Sequence, residues 1–289
     1  MPGKLKLKQE MEASHALRDI SQVYQDLSVM KMQEIRKSVL ETRSFMNKIS
    51  EIFVDIKHSY RKRFQEEAEH KKRAGKTATE QECKRAAILL SANSKMYGSV
   101  EANVFEHFLQ ETAKSQEDII IIGKLGRSYY ESQPRKRAYK YYDLPDSVVK
   151  IEDIEKVMGQ LAEYQDINVY YGQFISIVTQ NPISSNITGE KPFEFLEQET
   201  YEEHDYYFEP SVDKILHFFQ NQLIVSLFKQ AMFESQLARF ASRITAMDEA
   251  LQHIDSYLGT LKATNRLLNK RLEGKRQIEK IAAIVSIAN

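Results

Sequence analysis

The sequence has few of the features that mark secreted proteins, membrane proteins or nucleic-acid-binding proteins. Cys83 is the only cysteine, so no intrachain disulfide can form and a reducing compartment is expected. The lysine-rich first residues lack the apolar stretch of a signal peptide, and no apolar run reaches the roughly 18 residues of a membrane span. Because 41 Lys and Arg balance 41 Asp and Glu, the overall charge does not favour nucleic acid as a partner. We therefore expect a cytoplasmic protein.

Catalytic motifs are also missing. The chain has no G-x-x-x-x-G-K-[ST] phosphate loop and no H-E-x-x-H metal motif. Gly123 and Gly126 follow the apolar run DIIII and partly resemble a dinucleotide turn, but the third glycine and the acidic partner are absent. A tight turn between a strand and a helix is the favoured interpretation. We expect no cofactor, no metal and no catalytic residue.

Two polar clusters allow alternative interpretations. The acidic group at residues 202–205 could hold a cation, although a solvated loop is favoured. The run Arg135-Lys136-Arg137, with Lys140 and nearby tyrosines, could bind single-stranded nucleic acid. Because this run is short, an exposed or protein-facing loop is favoured.

A long helix is predicted near the beginning of the chain. Residues 14–72 contain no glycine and no proline. Leu17, Ile20 and Leu27 lie on a displaced phase, so we expect a change of packing partner near Met30. Further along, apolar residues recur with the alternating spacing of three and four that is typical of a coiled coil: Met32, Ile35, Val39, Thr42, Met46, Ile49, Phe53, Ile56 and Tyr60.

The last part of the chain repeats this spacing. The positions are Leu237, Phe240, Ile244, Met247, Leu251, Ile254, Leu258, Leu261, Leu268 and Leu272, with the polar Asn265 at the intervening place. A seam of this length needs a second long helix to cover it. The pattern therefore predicts that the two terminal helices wrap around each other.

The middle of the chain is predicted to be an α/β domain. Strands at 86–90 and 118–122, with a helix at 100–112 between them, indicate a βαβ unit. A helix at 150–164, a long strand at 167–179 and an edge segment at 191–198 are expected to follow. The predicted fold is α/β, with a long antiparallel two-helix coiled coil and an inserted Rossmann-like domain. The predicted boundaries are 1–77, 78–208 and 209–289.

Two stretches in the predicted terminal helices carry recognisable motifs. One is ESQLARFASRITAMDEA, which contains Arg243 and Met247, and the other is VMKM, which contains Met30 and Met32. They resemble the patterns Ala-x-Arg-Met-x-Ala-Met-x-x-Ala and Ala-Met-x-Met of the γ subunit of F-type ATP synthases.

The inserted domain carries further matches in the same order. Gly98 and Asn103 of YGSVEAN match the family turn Cys-Gly-Gly-x-Asn, and Gly123 and Gly126 resemble its Gly-x-x-Gly turn. The chain departs from the family where Gln22 to Leu27 replaces Asn-Thr-Gln-Lys-Ile-Thr, and where the Arg-Gln pair near the C-terminus is absent.

The resemblance implies a non-catalytic rotor shaft that transmits torque between a catalytic hexamer and a proton-driven membrane ring. Implied partners are the α and β subunits, an ε-type subunit and the c-type ring, with no nucleic acid and only indirect membrane association at the inner face of the cell membrane. The implied hexamer contacts are Met30, Met32, Arg243, Met247, Ile281, Ile284, Val285 and Ile287.

Three alternatives remain at this stage. The chain could be the shaft of a specialised F-type-like ATPase, because it departs from the family at positions that face the catalytic subunits. A coiled-coil adaptor with a protein-binding α/β module shares the predicted fold. A Rossmann-like enzyme with helical extensions is disfavoured by the missing motifs.

Overall fold

The computed structural model describes residues 2–73, 84–134, 136–146, 151–161, 163–188 and 212–288. The chain divides into two units, one formed by Met1–Val29 with Arg243–Asn289 and the other by Met30–Ser242. Three predicted features lie outside the described residues: the edge segment 191–198, the acidic cluster 202–205, and Cys83. The boundaries predicted near residues 77 and 208 also lie outside them.

Two very long helices lie at the ends of the described chain, and between them strands and helices alternate up to a final pair of strands. Their order is α1 (Pro2–Arg73), β1 (Arg85–Leu90), α2 (Val100–Thr112), β2 (Asp118–Ile122), α3 (Lys124–Glu131), β3 (Tyr139–Tyr142), α4 (Ile151–Leu161), β4 (Asp166–Phe174), β5 (Gln180–Asn186) and α5 (Val212–Ala288). The mixed α/β architecture with long terminal helices agrees with the prediction. No helix in the described part of the chain combines the length and hydropathy needed to span a membrane.

The sheet has the order β3-β2-β1-β4-β5. β1 pairs in parallel with both β2 and β4, and β2 pairs in parallel with β3. The predicted βαβ unit is therefore confirmed. Strands β1 and β2 are almost entirely buried, as expected of parallel strands that are covered on both faces.

The prediction of one long strand at 167–179 was wrong. β4 ends at Phe174, and the chain turns back through residues 175–179 into the antiparallel strand β5. The backbone N–H groups of Ile175 and Ser176 both donate to the Thr179 carbonyl. This turn contains no glycine or proline. Its one usual turn residue is Ser176, whose Oγ accepts a hydrogen bond from the Thr179 N–H at 3.0 Å. Pro182 is accommodated because β5 lies at the edge of the sheet.

Each face of the sheet has its own apolar core. One includes Ile88 and Ile120 with residues of α4, and the other includes Leu89 and Ile121 with residues of α2. Helix α5 contributes to both, through Phe228, Ala231 and Met232 on one side and Phe233, Leu237, Ala238 and Phe240 on the other. The second unit thus buries one segment of α5 within its core.

Helix α1 is buried at every seventh residue. These positions are Leu7, Ser14, Ser21, Ser28, Ile35, Thr42 and Ile49. The hydroxyls of Ser14 and Ser28 donate to the carbonyls of Glu10 and Tyr24 on their own helix, so burial leaves neither unsatisfied. Leu17, Ile20 and Leu27, which the sequence places on a displaced phase, are exposed. The side chains of Phe53, Ile56 and Tyr60 lie outside the described residues.

Candidate functional site

The two glycines after β2 form a tight turn against the end of β1. Gly123 has φ +103°, and a Cβ atom there would lie 2.2 Å from the Ser91 carbonyl oxygen. At Gly126 the backbone N–H donates to Ser91 Oγ at 2.7 Å, and a Cβ would lie 2.5 Å from the same oxygen. Neither position therefore has room for a side chain, and the predicted tight turn between a strand and a helix is observed between β2 and α3.

Polar side chains converge at the carboxyl ends of β1 and β2. We call this group the carboxyl-edge junction, and it consists of Ser91, Asn93, Glu101, Asp146 and Arg239. Asp146 accepts hydrogen bonds from the backbone N–H groups of Asn93 at 2.7 Å and Ser94 at 2.8 Å. The Asn93 side chain accepts a bond from the Lys124 N–H at 2.8 Å, which ties the start of α3 to the same point.

Arg239 of α5 enters this junction with its side chain 8% exposed. Its Nε lies 3.5 Å from Glu101 Oε1, and its Nη1 lies 3.4 Å from Asp146 Oδ1. Glu101 also accepts a hydrogen bond from the Ala92 N–H at 3.2 Å. Burial raises the pKa of the Glu101 carboxyl, while Arg239 and the Ala92 N–H act in the opposite direction. The junction joins a long terminal helix to the edge of the sheet through charged groups.

The space beside the junction is too small for a nucleotide. The cavity lined by Ser91, Leu144 and Arg239, among others, has a volume of about 10 Å³. That is about the space needed for one water molecule. Among the residues that the structure describes, no three His, Cys, Asp or Glu side chains are grouped so that they could hold a metal ion.

The described part of the basic run is engaged within the chain. Arg137 Nη2 donates to the Thr112 carbonyl at 2.9 Å. Lys140 lies within β3, a strand that the sequence did not predict, and its Nζ donates to Glu163 at 2.8 Å. These contacts support the interpretation of a structural segment over a nucleic-acid site.

In the first unit, the two terminal helices meet through matched contacts. Arg18 Nε donates to Asp255 Oδ1 at 2.8 Å, and the Arg243 guanidinium lies 5.6 Å from the centre of the Tyr24 ring. Residue numbers rise along α1 as they fall along α5, so the two segments run antiparallel. The predicted seam residues Met247, Leu251, Leu258 and Leu261 are all buried.

The predicted contact residues occupy different environments. Met30 and Ile281 are exposed, at 65% and 62%. Met32 packs against the core that contains Phe240, while Arg243 and Met247 are buried. The side chains of the last three tip positions, Ile284, Val285 and Ile287, lie outside the described residues. A contact between any of these eight residues and another subunit stays a prediction.

The turn positions Gly98 and Asn103 precede and follow Glu101 in the sequence. Gly98 has φ +62°, which favours glycine, and precedes the start of α2. Asn103 is exposed in the first turn of α2, where its N–H donates to the Ser99 carbonyl at 3.0 Å.

Sequence reasoning missed Glu101, Asp146 and Arg239 as one group, because they belong to three separate segments. The available signal was local and weak: Arg239 has apolar residues on both sides, Leu237 and Ala238 before it and Phe240 and Ala241 after it.

Comparison with known proteins decides the family. The family model described as ATP synthase matches residues 5–270. The chain belongs to this family. One similar curated protein is the ATP synthase gamma chain of Mycoplasma capricolum, which is 26% identical over 295 residues, with 100% of this chain and 99% of the relative covered. Another is the ATP synthase gamma chain of Mycoplasmoides gallisepticum, which is 24% identical over 291 residues, with 97% of this chain and 96% of the relative covered. The recognised resemblance to the γ subunit is thereby confirmed.

Solved structures of mitochondrial ATP synthases contain chains that share the fold. A chain from the central stalk and c-ring structure of the Tetrahymena thermophila mitochondrial ATP synthase has a TM-score of 0.57 at 16% identity, with 80% of this chain and 99% of that chain covered. A chain of the Euglena gracilis mitochondrial ATP synthase has a TM-score of 0.53 at 15% identity, with 89% and 94% covered.

Proposed function

We propose that this chain is the γ subunit and central rotor shaft of an F-type ATP synthase or ATPase, and that it has no catalytic site of its own. The observation that carries this conclusion is the family match across residues 5–270, which includes most of both long helices and the chain between them. The curated relatives named gamma chain are covered over nearly their whole length. As the shaft, the chain transmits torque between the catalytic hexamer and the membrane ring.

The two terminal helices form an antiparallel coiled coil in this proposal. The Arg18–Asp255 and Tyr24–Arg243 contacts support the antiparallel direction. Burial of Ser14, Ser21 and Ser28 on α1 supports close approach of the helices, since small side chains leave room for the leucines of α5. A paired coil resists bending and twisting more strongly than a single helix, as a shaft must.

An exposed apolar stripe on α1 provides a surface that suits the interior of the hexamer. Leu17, Ile20, Val23, Leu27 and Met30 are each about half exposed or more. Apolar contacts are non-directional, so such a surface can turn inside an apolar sleeve without breaking specific bonds. We assign the same role to the tip formed by residues 281–289.

The partners that follow are the α and β subunits around the coil, with an ε-type subunit and the c-type ring at the inserted domain. In the same proposal the domain covers residues 78–208, between coil segments 1–77 and 209–289. The chain would then lie on the cytoplasmic side, peripheral to the inner face of the cell membrane.

Reconstitution of the chain with α and β subunits tests the proposal. We expect recovery of one complex whose ATP turnover drives rotation of a bead attached to the inserted domain. Purification of the chain alone, or with partners that carry no phosphate-loop sequence, would support the adaptor alternative. Nucleotide bound by the isolated chain would support the enzyme alternative.

The tip has a separate test. Deleting residues 281–289 should lower ATP turnover only partly, because the remaining coil still transmits torque. Ile284→Arg should reduce assembly more than the deletion, since it places an unpaired cation in an apolar sleeve. Gln277→Arg, at an exposed position of the same helix, is the control. If Ile284→Arg assembles at the wild-type yield, the tip does not lie in an apolar sleeve and that part of the proposal is wrong.

A further inference from the structure

We propose that Arg239 is the positioning residue that fixes the rotational setting of α5 against the sheet, so that torque passes from the helix into the inserted domain. This inference rests on the shaft function proposed above. Helix α5 is continuous over Val212–Ala288 and carries both the predicted coil seam and Arg239. Any torque that travels along this helix must leave it where the helix is held by the sheet.

Apolar packing alone does not fix the rotational setting of α5 as strictly as a buried charge pair does. Residues on two sides of the helix contribute to the two apolar cores, including Phe228 and Phe240. Such contacts supply affinity but little direction, because a small turn of the helix exchanges one apolar neighbour for another. A hydrogen-bonded charge does not tolerate this exchange, because rotation would leave it buried without its partner.

Arg239 is such a charge, because its side chain contacts three oxygen-bearing groups. Its Nε donates to the Ser235 carbonyl at 3.2 Å, which sets the side chain against its own helix. The guanidinium then reaches Glu101 at 3.5 Å and Asp146 at 3.4 Å. Since the exposed fraction of the Glu101 side chain is 6% and that of Asp146 is 18%, water offers little replacement for a lost contact.

The acidic partners are themselves held by the domain. Asp146 accepts bonds from the Asn93 and Ser94 N–H groups and from Ser94 Oγ at 2.8 Å. Glu101 lies in the first turn of α2 and is bonded to the Ala92 N–H. Both carboxylates are therefore fixed to the chain that follows β1, and a force applied at Arg239 acts directly on the sheet.

Single-molecule rotation of the reconstituted complex tests the inference. The hexamer is fixed to a surface and a bead is attached to the domain through Gln160→Cys, an exposed position on α4, in a Cys83→Ser background. We expect Arg239→Met to lower the torque delivered to the bead at least twofold, while ATP turnover of the unloaded complex stays within twofold of the parent. Arg239→Lys keeps the charge and should recover part of the lost torque.

The control is Arg85→Met, because Arg85 forms an exposed pair with Asp166 at 3.7 Å in the same sheet. Equal torque from Arg239→Met and the parent, or an equal loss in Arg85→Met, would overturn the inference. If Arg239→Met does not assemble, the torque of Arg239→Lys and Glu101→Gln is measured instead. Full torque in both variants would also overturn the inference. Failure of the parent chain to rotate would instead refute the shaft function.

Discussion

Gly123→Ala should destabilise the inserted domain strongly. The new Cβ would lie 2.2 Å from the Ser91 carbonyl oxygen, at a backbone φ of +103° that other residues rarely adopt. The unfavourable backbone conformation costs about 1–3 kcal/mol, and displacement of a packed backbone neighbour costs about 1–3 kcal/mol more. The free energy of unfolding should therefore fall by roughly 2–6 kcal/mol, a large part of the 5–15 kcal/mol typical of a domain.

Urea denaturation followed by tyrosine fluorescence measures this change, because the chain has 15 tyrosines and no tryptophan. With a denaturant slope of about 1–3 kcal/mol per molar, the unfolding midpoint should fall by about 1 M or more. Gly159→Ala is the matched control: it lies within α4, no atom is within 4 Å of its new Cβ, and the helix should gain up to about 1 kcal/mol. A midpoint for Gly123→Ala at or above that of wild type would refute the packing argument.

Three further outcomes are expected. Leu251→Asp should lower the helicity and the thermal midpoint, because it buries an unpaired carboxylate. The control Tyr257→Asp, at a half-exposed position of the same helix, should have little effect, and equal midpoints for the two variants would contradict the predicted helix pairing. Gly259→Ala should raise the thermal midpoint through a gain of up to about 1 kcal/mol in helix stability, because no atom lies within 4 Å of its new Cβ, and a lower midpoint would contradict this. Burial raises the pKa of Glu101, so the folded state binds a proton at this carboxyl more tightly than the unfolded state does. The contribution of Glu101 to stability therefore grows as the pH falls from above the raised pKa toward the ordinary glutamate pKa. Glu101→Gln should remove this contribution, and an unchanged pH dependence of the thermal midpoint would contradict it.

Local patterns were sufficient to predict the long helices and the buried strands. Burial of Ile35, Val39, Thr42 and Ile49 on α1, and of Met247, Leu251, Leu258 and Leu261 on α5, follows the predicted helical spacing, which depends only on residues a few positions apart. Burial of Ser14, Ser21 and Ser28 was not predicted, because serine gives no apolar signal. The runs at β1 and β2 are apolar throughout because parallel strands are covered on both faces. The tight turn at Gly123 was also predicted from the sequence, because the residues that a dinucleotide motif requires are missing there.

Other features depended on the tertiary structure. The hairpin between Phe174 and Gln180 has no glycine or proline, and Ser176 alone is a weak turn signal, so the turn was found only from the hydrogen bonds of the folded chain. The carboxyl-edge junction was equally hidden, because Glu101, Asp146 and Arg239 come from separate segments and each alone resembles an ordinary surface charge. The sequence by itself determined the periodic helices and strands and the family, because both depend only on which residues follow one another along the chain. Only the tertiary structure decided which charges are buried together, because burial and pairing depend on segments that folding brings to one place.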